Sequence, residues 1–183
     1  MSAQRELRSE RLTLRPLSLD DAEAMHLIYA DPETVLFSSH ASHSSFDETV
    51  DRLTKAVEST TWRSWAVTLA NANDAIGVVV ANERRQGRVF EIGYTLARSH
   101  WGHGYGSEAV TRLITHLFVD ESARRIFADT DPDNIASNRL LERLGFSREG
   151  RLRAEWETHI GVRDSYIWGL LAEEWAARDF GLQ

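Results

Sequence analysis

Between Leu12 and Arg15, leucine alternates with threonine and arginine, the period-two pattern of a half-buried strand that Pro16 then ends. Ser18 and Asp21 have the spacing of a capping box and predict a helix over about residues 19–30. Ser45 and Glu48 mark a second helix, running to about residue 59, with Val50, Leu53 and Val57 on one face. The serine- and histidine-rich stretch 40–45 between them reads as a mobile loop. Three strand-like runs follow at 62–70, 75–82 and 88–96, and their short connections suit antiparallel hairpins, so a meander is expected. A glycine-dense segment at 101–106 leads into a helix with an apolar stripe of Val110, Leu113, Ile114, Leu117 and Phe118. Beyond it come a strand at 124–130, a break at Asp131 and Pro132, and a helix at 135–144 stopped by Gly145. Strands at about 146–155 and 165–171 precede a polar tail.

This order of strand, two helices, three strands, helix, strand, helix and two strands predicts an α/β protein with a mixed sheet. There is no internal repeat or Pro/Gly linker, and Pro16, Pro32 and Pro132 all fall at element boundaries, so one domain over residues 1–183 is expected. A chain of 183 residues can bury about 70% of its unfolded surface, which makes a disulfide or metal staple unnecessary. With 42% hydrophobic and 27% charged residues the composition is that of a soluble globular protein, not of a fibre or a disordered chain. No apolar run approaches the roughly 18 residues of a membrane span, so no membrane partner is expected. Residues 1–15 alternate charge with leucine and carry no apolar signal core, which predicts a cytoplasmic location.

Zero cysteines remove a thioester-forming nucleophile, a thiolate zinc site and thiol redox chemistry. Any acyl transfer must then pass directly between substrates or through another side chain. The formal charge is 21 minus 28, or −7, with no basic block, so no nucleic-acid partner is expected. Lys55 is the sole lysine and lies in an amphipathic helix pattern, where a solvated side chain is the better reading than a Schiff base. His40 and His43 are spaced for metal ligation, but no carboxylate or cysteine pattern accompanies them and no metal is expected. The six tryptophans are expected to serve packing.

The most informative stretch is His100-Trp101-Gly102-His103-Gly104-Tyr105-Gly106-Ser107, placed between a strand and a helix. Its glycines let backbone N–H groups turn towards an anion, and the helix dipole adds favourable partial charge, so a phosphate-bearing ligand suits it. Ser107 stands where a dinucleotide motif needs its third glycine, and no Gly-Lys-Ser/Thr follows, which excludes dinucleotide and kinase-type readings. The same spacing also occurs in tight strand-to-helix turns that bind nothing.

Several motifs in order carry a resemblance over nearly the whole chain. They are Ser9-Glu10-Arg11-Leu12-Thr13-Leu14-Arg15-Pro16, then Phe90-Glu91-Ile92-Gly93-Tyr94-Thr95-Leu96, then the glycine stretch running on to Glu108-Ala109. Asn134-Ile135-Ala136-Ser137-Asn138 through Leu144-Gly145-Phe146, and Asp164-Ser165-Tyr166 with Leu170-Leu171 and Glu174-Trp175, complete the set. The sequence resembles the GCN5-related N-acetyltransferases (GNATs), most closely their RimJ/RimL-like branch. That resemblance implies the acyl-CoA N-acyltransferase fold, a mixed and mostly antiparallel sheet with one splayed parallel pair. Residues 91–96 would form one wall of the splay and 124–130 the other. It implies acetyl-CoA as co-substrate and no metal. Main-chain groups of Tyr94, Thr95 and Leu96 would pair with the pantetheine amides, and Gly102, His103, Gly104, Tyr105, Gly106 and Ser107 would hold the pyrophosphate. Trp101 stands where the family carries Gln or Arg, a departure expected to alter one side-chain contact. Arg98, His100 and His103 would meet the phosphates, or are simply solvated cations. Asn134 would contact the cofactor arm, with Ser137 near the sulfur; Asn134 also fits as a helix N-cap accepting the Ser137 N–H, and both can hold.

Amide formation from a thioester needs a neutral amine, a polarised carbonyl and an outlet for the thiolate. Deprotonating a lysine side chain at pH 7.4 costs about 4 kcal/mol and an α-amine only about 0.5, so an α-amine acceptor tolerates a weak base. By the family pattern Glu91 is the candidate base, acting through water; as a residue of a half-exposed strand it also fits as a solvent-facing carboxylate. No tyrosine lies between Asn134 and Leu144, so Ser137 would donate a hydrogen bond to the thiolate without protonating it. Phe37, His40 and His43 would rim the acceptor site. The expected activity is acetyl-CoA-dependent N-acetyl transfer in a ternary complex, to a protein N-terminal α-amine or a small amine. The alternative is a non-catalytic acyl-CoA-binding module. A homodimer is compatible with open sheet edges, although no residue demands it.

Overall fold

Eight strands pair into one sheet in the order β1-β2-β3-β4-β5-β6-β8-β7 in the computed structural model, which describes residues 4–85 and 87–178. The strands are β1 (Leu7–Arg8), β2 (Leu12–Pro16), β3 (Trp62–Leu69), β4 (Gly77–Arg85), β5 (Val89–Leu96), β6 (Arg125–Thr130), β7 (Ser147–Thr158) and β8 (Gly161–Leu171). The helices are α1 (Ala22–Tyr29), α2 (Pro32–Val35), α3 (Phe46–Val57), α4 (Tyr105–Thr115), α5 (Ile135–Arg143) and α6 (Ala172–Ala176). Every neighbouring pair is antiparallel except β5–β6. The expected mixed sheet and meander are therefore present, since β2 to β5 follow one another across the sheet as they do along the chain.

Capping chemistry sets the helix starts. The Ser18 N–H donates to Asp21 Oδ2 (2.9 Å), and the buried Asp21 also takes a two-pronged contact from Arg15, 2.9 and 2.5 Å, which anchors the 3₁₀ turn leading into α1. Ser45 Oγ accepts from the Glu48 N–H at the start of α3, while Glu48 turns its carboxylate to Ser44. Along α3 the fully buried positions are Thr49 and Leu53; Val57, expected on the apolar face, is the last residue of the helix and is 41% exposed. The short elements β1, α2 and α6 lie outside the predicted order. Asp31 caps α2 through the Glu33 N–H and Pro32 occupies its first turn, a start signal too brief to show any apolar period.

The sheet separates two cores. Val110, Leu113, Ile114 and Leu117 of α4 and Leu141 of α5 pack on one face against Val79, Phe90, Ile92 and Ile126. Met25, Ile28, Val35 and Leu53 from α1, α2 and α3 pack on the other against Ala66 and Val78. Two tryptophans depart from the expected packing role: Trp101 is 47% and Trp156 49% exposed, each with its indole N–H engaged as described below. The stretch 40–45 is irregular, as expected, and hydrogen bonds tie it to α1 and α3 at His43. The His43 N–H donates to the Tyr29 carbonyl (2.9 Å) and the His43 ring meets the buried Thr49 hydroxyl (2.8 Å). Among the described residues, no helix is long and apolar enough to cross a membrane.

Candidate active site

The parallel pair is short. β5 and β6 align at Val89 with Arg125, Phe90 with Ile126 and Glu91 with Phe127, and there their pairing stops. β5 stays bound to β4 as far as Leu96, while β6 follows β8 as far as Thr130, so the strands diverge and leave a wedge beyond Glu91. The Ala97 N–H donates to the Ile76 carbonyl (2.8 Å), which fixes the alternation along β5. Main-chain groups of Ile92, Tyr94 and Leu96 consequently face the wedge, and those of Thr95 face β4. An open strand edge of this kind offers donors and acceptors to an extended ligand carrying amides. Trp101 reaches back to this edge, its Nε1–H donating to the Leu96 carbonyl at 2.7 Å.

At the wide end of the wedge lies the glycine turn. Gly102 and Gly104 have φ of +77° and +81°, the left-handed region that side chains disfavour. The Gly104 carbonyl accepts from the Glu108 N–H (3.1 Å) and so begins α4. The N–H groups of Tyr105, Gly106 and Ser107 therefore lack intrahelical acceptors, and no side chain caps this helix start. Uncapped donors at the positive end of an 11-residue helix fit a diphosphate. Gly106 differs from the other two in having no positive φ, and a Cβ there would make only ordinary contact with Leu140 (3.5 Å). Of the neighbouring basic side chains, Arg98 pairs with Asp31 (2.9 Å), His100 Nδ1 meets Ser99 Oγ (3.0 Å) and His103 stacks on Tyr105.

Candidate catalytic groups flank the wedge from opposite faces of the sheet. Glu91 lies opposite Asn82 and shares a face with Thr95 and Val78, on the side of α1 to α3. Burial pushes its carboxyl above the ordinary carboxylate range, the nearby Arg84 guanidinium (2.8 Å) opposes this, and the charge of Asp129 adds to it. Asp129 is held by the Trp156 indole N–H (3.1 Å) and the Ser165 hydroxyl. Tyr94 projects to the other face, where its hydroxyl meets Ser137 Oγ at 2.6 Å. Burial pushes the Tyr94 phenol up to about 12, only partly offset by the bond to Ser137, so the phenol keeps its proton. Sequence reasoning assigned Tyr94 only a main-chain role. Its side chain shares a face with Ile92, and no local signal points to a partner 43 residues away.

Asn134 Oδ1 accepts the Ser137 N–H (3.1 Å), so the N-cap reading of Asn134 holds, and the bond uses the carbonyl oxygen and not the amide N–H₂. The next turn of α5 is locked from beneath. Buried Asn138 accepts from the Thr130 hydroxyl (2.6 Å) and the Trp168 indole (3.3 Å) and donates to the Asp131 and Pro132 carbonyls. That network fixes α5 to the end of β6 and sets where Ser137 stands.

Phe37, His40 and His43 belong to the segment after α2. α2 packs on β5, and the Asp31–Arg98 ion pair ties it to the residue beyond the end of β5. His40 and His43 form an aromatic cluster with Tyr29 at centroid separations of 5.1–5.6 Å, with the Arg52 guanidinium 5.2 Å from the Tyr29 ring. Burial lowers both histidine pKa values, and the positive charge of Arg52 acts in the same direction. Among the described residues, no group of three or more His, Cys, Asp or Glu is placed to hold a metal ion.

Residues 11–147 match the sequence profile described as "Acetyltransferase (GNAT) domain". An uncharacterized N-acetyltransferase, p20, of Bacillus licheniformis is 33% identical over 176 residues, covering 93% of this chain and 98% of its own. A ribosomal-protein-serine acetyltransferase of Escherichia coli is 37% identical over 82 residues, 44% of this chain and 46% of its own. Among solved structures, spermidine N-acetyltransferase from Vibrio cholerae in complex with CoA and spermine superimposes with a TM-score of 0.78. It is 24% identical, with 90% of this chain and 98% of that one covered, and so bears on the fold alone. With the profile spanning the wedge, the glycine turn and α5, and with one relative similar along almost the whole chain, this protein belongs to the GNAT family and is an N-acetyltransferase.

Proposed function

We propose that the chain acts as one catalytic unit that moves an acetyl group from acetyl-CoA directly to a primary amine within a ternary complex. The observation that carries this reading is the wedge, with Glu91 on one face of the sheet and the Tyr94–Ser137 pair on the other. A thioester arm laid along Tyr94 and Leu96, with its diphosphate at Gly102 to Ser107, would enter from the α4–α5 face. An amine would arrive from the side of α1 to α3, past Phe37, His40 and His43. Acetyl-CoA supplies an activated carbonyl. The acceptor attacks as the neutral amine, its ammonium proton having gone to solvent. Glu91, with its raised pKa, takes the second N–H proton through water as the C–N bond forms, and the C–S bond breaks to give a thiolate that accepts a hydrogen bond from Ser137. In this reading the protonated Tyr94 phenol is the donor to Ser137 Oγ, which leaves the Ser137 O–H to turn towards the sulfur.

The acceptor is a protein N-terminal α-amine or a small amine. The carboxylates of Glu91 and Asp129 on the acceptor face favour an ammonium group, and one relative named above is a ribosomal-protein-serine acetyltransferase. Incubating the pure protein with acetyl-CoA and a panel of peptides and amines, and following free thiol, tests the reading. Release well above hydrolysis is expected with at least one acceptor. Tight CoA binding with no release for any acceptor would favour a non-catalytic binding module instead.

A further inference from the structure

We propose that Arg11, which lies outside the glycine turn, is a positioning residue for the CoA diphosphate. It holds the turn in the shape that aims its N–H groups at the anion. This rests on the reading of the turn given above and extends it to a side chain from the other end of the sequence.

Arg11 stands in the connection between β1 and β2, which the Ser9 N–H closes on the Leu12 carbonyl at 2.9 Å. From there its guanidinium spans both sides of the turn. Nη1 donates to the His103 carbonyl (3.0 Å) and Nε to Glu108 Oε2 (2.7 Å). The guanidinium carbon sits 4.7 Å from the centre of the Tyr105 ring, and Nη2 would lie 3.4 Å from a Cβ placed on Gly104. The other Glu108 oxygen accepts from the Arg11 N–H and the Ser9 hydroxyl, both at 2.8 Å.

Two consequences follow from peptide geometry and charge. All described peptide bonds are trans, so the Gly104 N–H points opposite to the His103 carbonyl. Pinning that carbonyl onto Arg11 turns the N–H away from the guanidinium, to the side where the uncapped N–H groups of Tyr105 to Ser107 gather. Glu108 also places a carboxylate in the first turn of α4, where it would repel a diphosphate. Arg11 neutralises it, and Arg11 and Ser9 together engage both its oxygens. A staple joining the N-terminal hairpin to α4 would need only the Glu108 contacts. The bond to His103 and the contact with Tyr105 act on the turn itself.

The test compares acetyl-CoA with acetyl-pantetheine, which carries the same thioester arm and lacks the diphosphate, in the full-length wild-type, Arg11→Gln and Arg11→Lys proteins. For Arg11→Gln the KM for acetyl-CoA should rise about 10- to 100-fold, the range for losing charge-assisted hydrogen bonds, with kcat unchanged and the KM for acetyl-pantetheine at its wild-type value. Arg11→Lys should also raise the KM for acetyl-CoA, because one ammonium cannot bridge His103 and Glu108 as the planar fork does. Wild-type behaviour of Arg11→Lys, or an equal rise for both donors in Arg11→Gln, overturns the proposal; the second result would make Arg11 a fold staple. If wild-type protein uses both donors with the same KM, the diphosphate reading of the turn fails. If it discriminates and Arg11→Gln discriminates equally, only the role of Arg11 fails.

Discussion

Replacing Tyr94 by phenylalanine removes a single oxygen from the wedge and leaves the β5 main chain in place. The phenol sits at about 12 and a thiol at about 8.5, so full proton transfer to a departing thiolate would run uphill by about 5 kcal/mol. Tyr94 is therefore expected to act by hydrogen bonding alone, through Ser137 Oγ at 2.6 Å. A neutral hydrogen bond of about 0.5–1.5 kcal/mol converts to a fall in kcat of about 3- to 10-fold, with the KM for acetyl-CoA unchanged. Steady-state thiol release for Tyr94→Phe, Ser137→Ala and the double variant measures this. Since both hydroxyls lie on one path to the sulfur, the double variant should lose no more than Ser137→Ala does. An unchanged kcat in Tyr94→Phe would refute the role. So would a fall of about a thousandfold, which belongs to a group that transfers its proton.

For Glu91→Gln, kcat should drop with CoA affinity unchanged, and the acidic limb of the pH–rate profile should vanish. That limb arises because activity requires the carboxylate and is lost as pH falls through a pKa that burial has raised. A raised carboxyl also means that its ionisation costs folding stability as pH climbs past the ordinary value of 4.5. The same variant should hence show no loss of Tm at neutral pH, and a drop of several degrees would mark Glu91 as structural. Asn138→Ala leaves the buried Thr130 hydroxyl proton without its acceptor, while the Trp168 indole keeps its 2.9 Å bond to Thr130 Oγ1; a cost of about 1–3 kcal/mol follows, which calorimetry should register as about 2–12 °C in Tm. Ala at position 104 must adopt a left-handed φ at about 1–2 kcal/mol and should lower Tm, whereas Gly106→Ala, in ordinary helical backbone, should raise stability by about 0.5–1 kcal/mol. Equal effects at the two positions would contradict the backbone argument.

The long elements were legible from local pattern. Alternation at Leu12 to Arg15, the Ser18 and Ser45 caps and the stripe from Val110 to Leu117 all reappear where expected, because each depends on residues within one or two turns. β1, of two residues, and α2, of four, are too short to carry a period, and β8 starts at Gly161 on the strength of its pairing with β7. At the site, Glu91, Asn134 and Ser137 were singled out by the family resemblance; the residue pattern alone gave Asn134 as an N-cap and Glu91 as a solvent-facing carboxylate. Trp101 and Trp156 could not be told from core tryptophans, since an exposed indole bonded to Leu96 or Asp129 has the same composition as a buried one.

By itself the amino-acid order determined which stretches fold as strands and helices and where a glycine turn meets a helix start, all through interactions between near neighbours. Only the tertiary structure decided where β5 and β6 part, that Glu91 and Tyr94 face opposite sides, and that Arg11 grips a turn some 92 residues further on. Those features arise because β4 and β8 compete for the two strands and because helices on both faces must bury their stripes at once. They are balances among distant partners, and no window of the chain contains them.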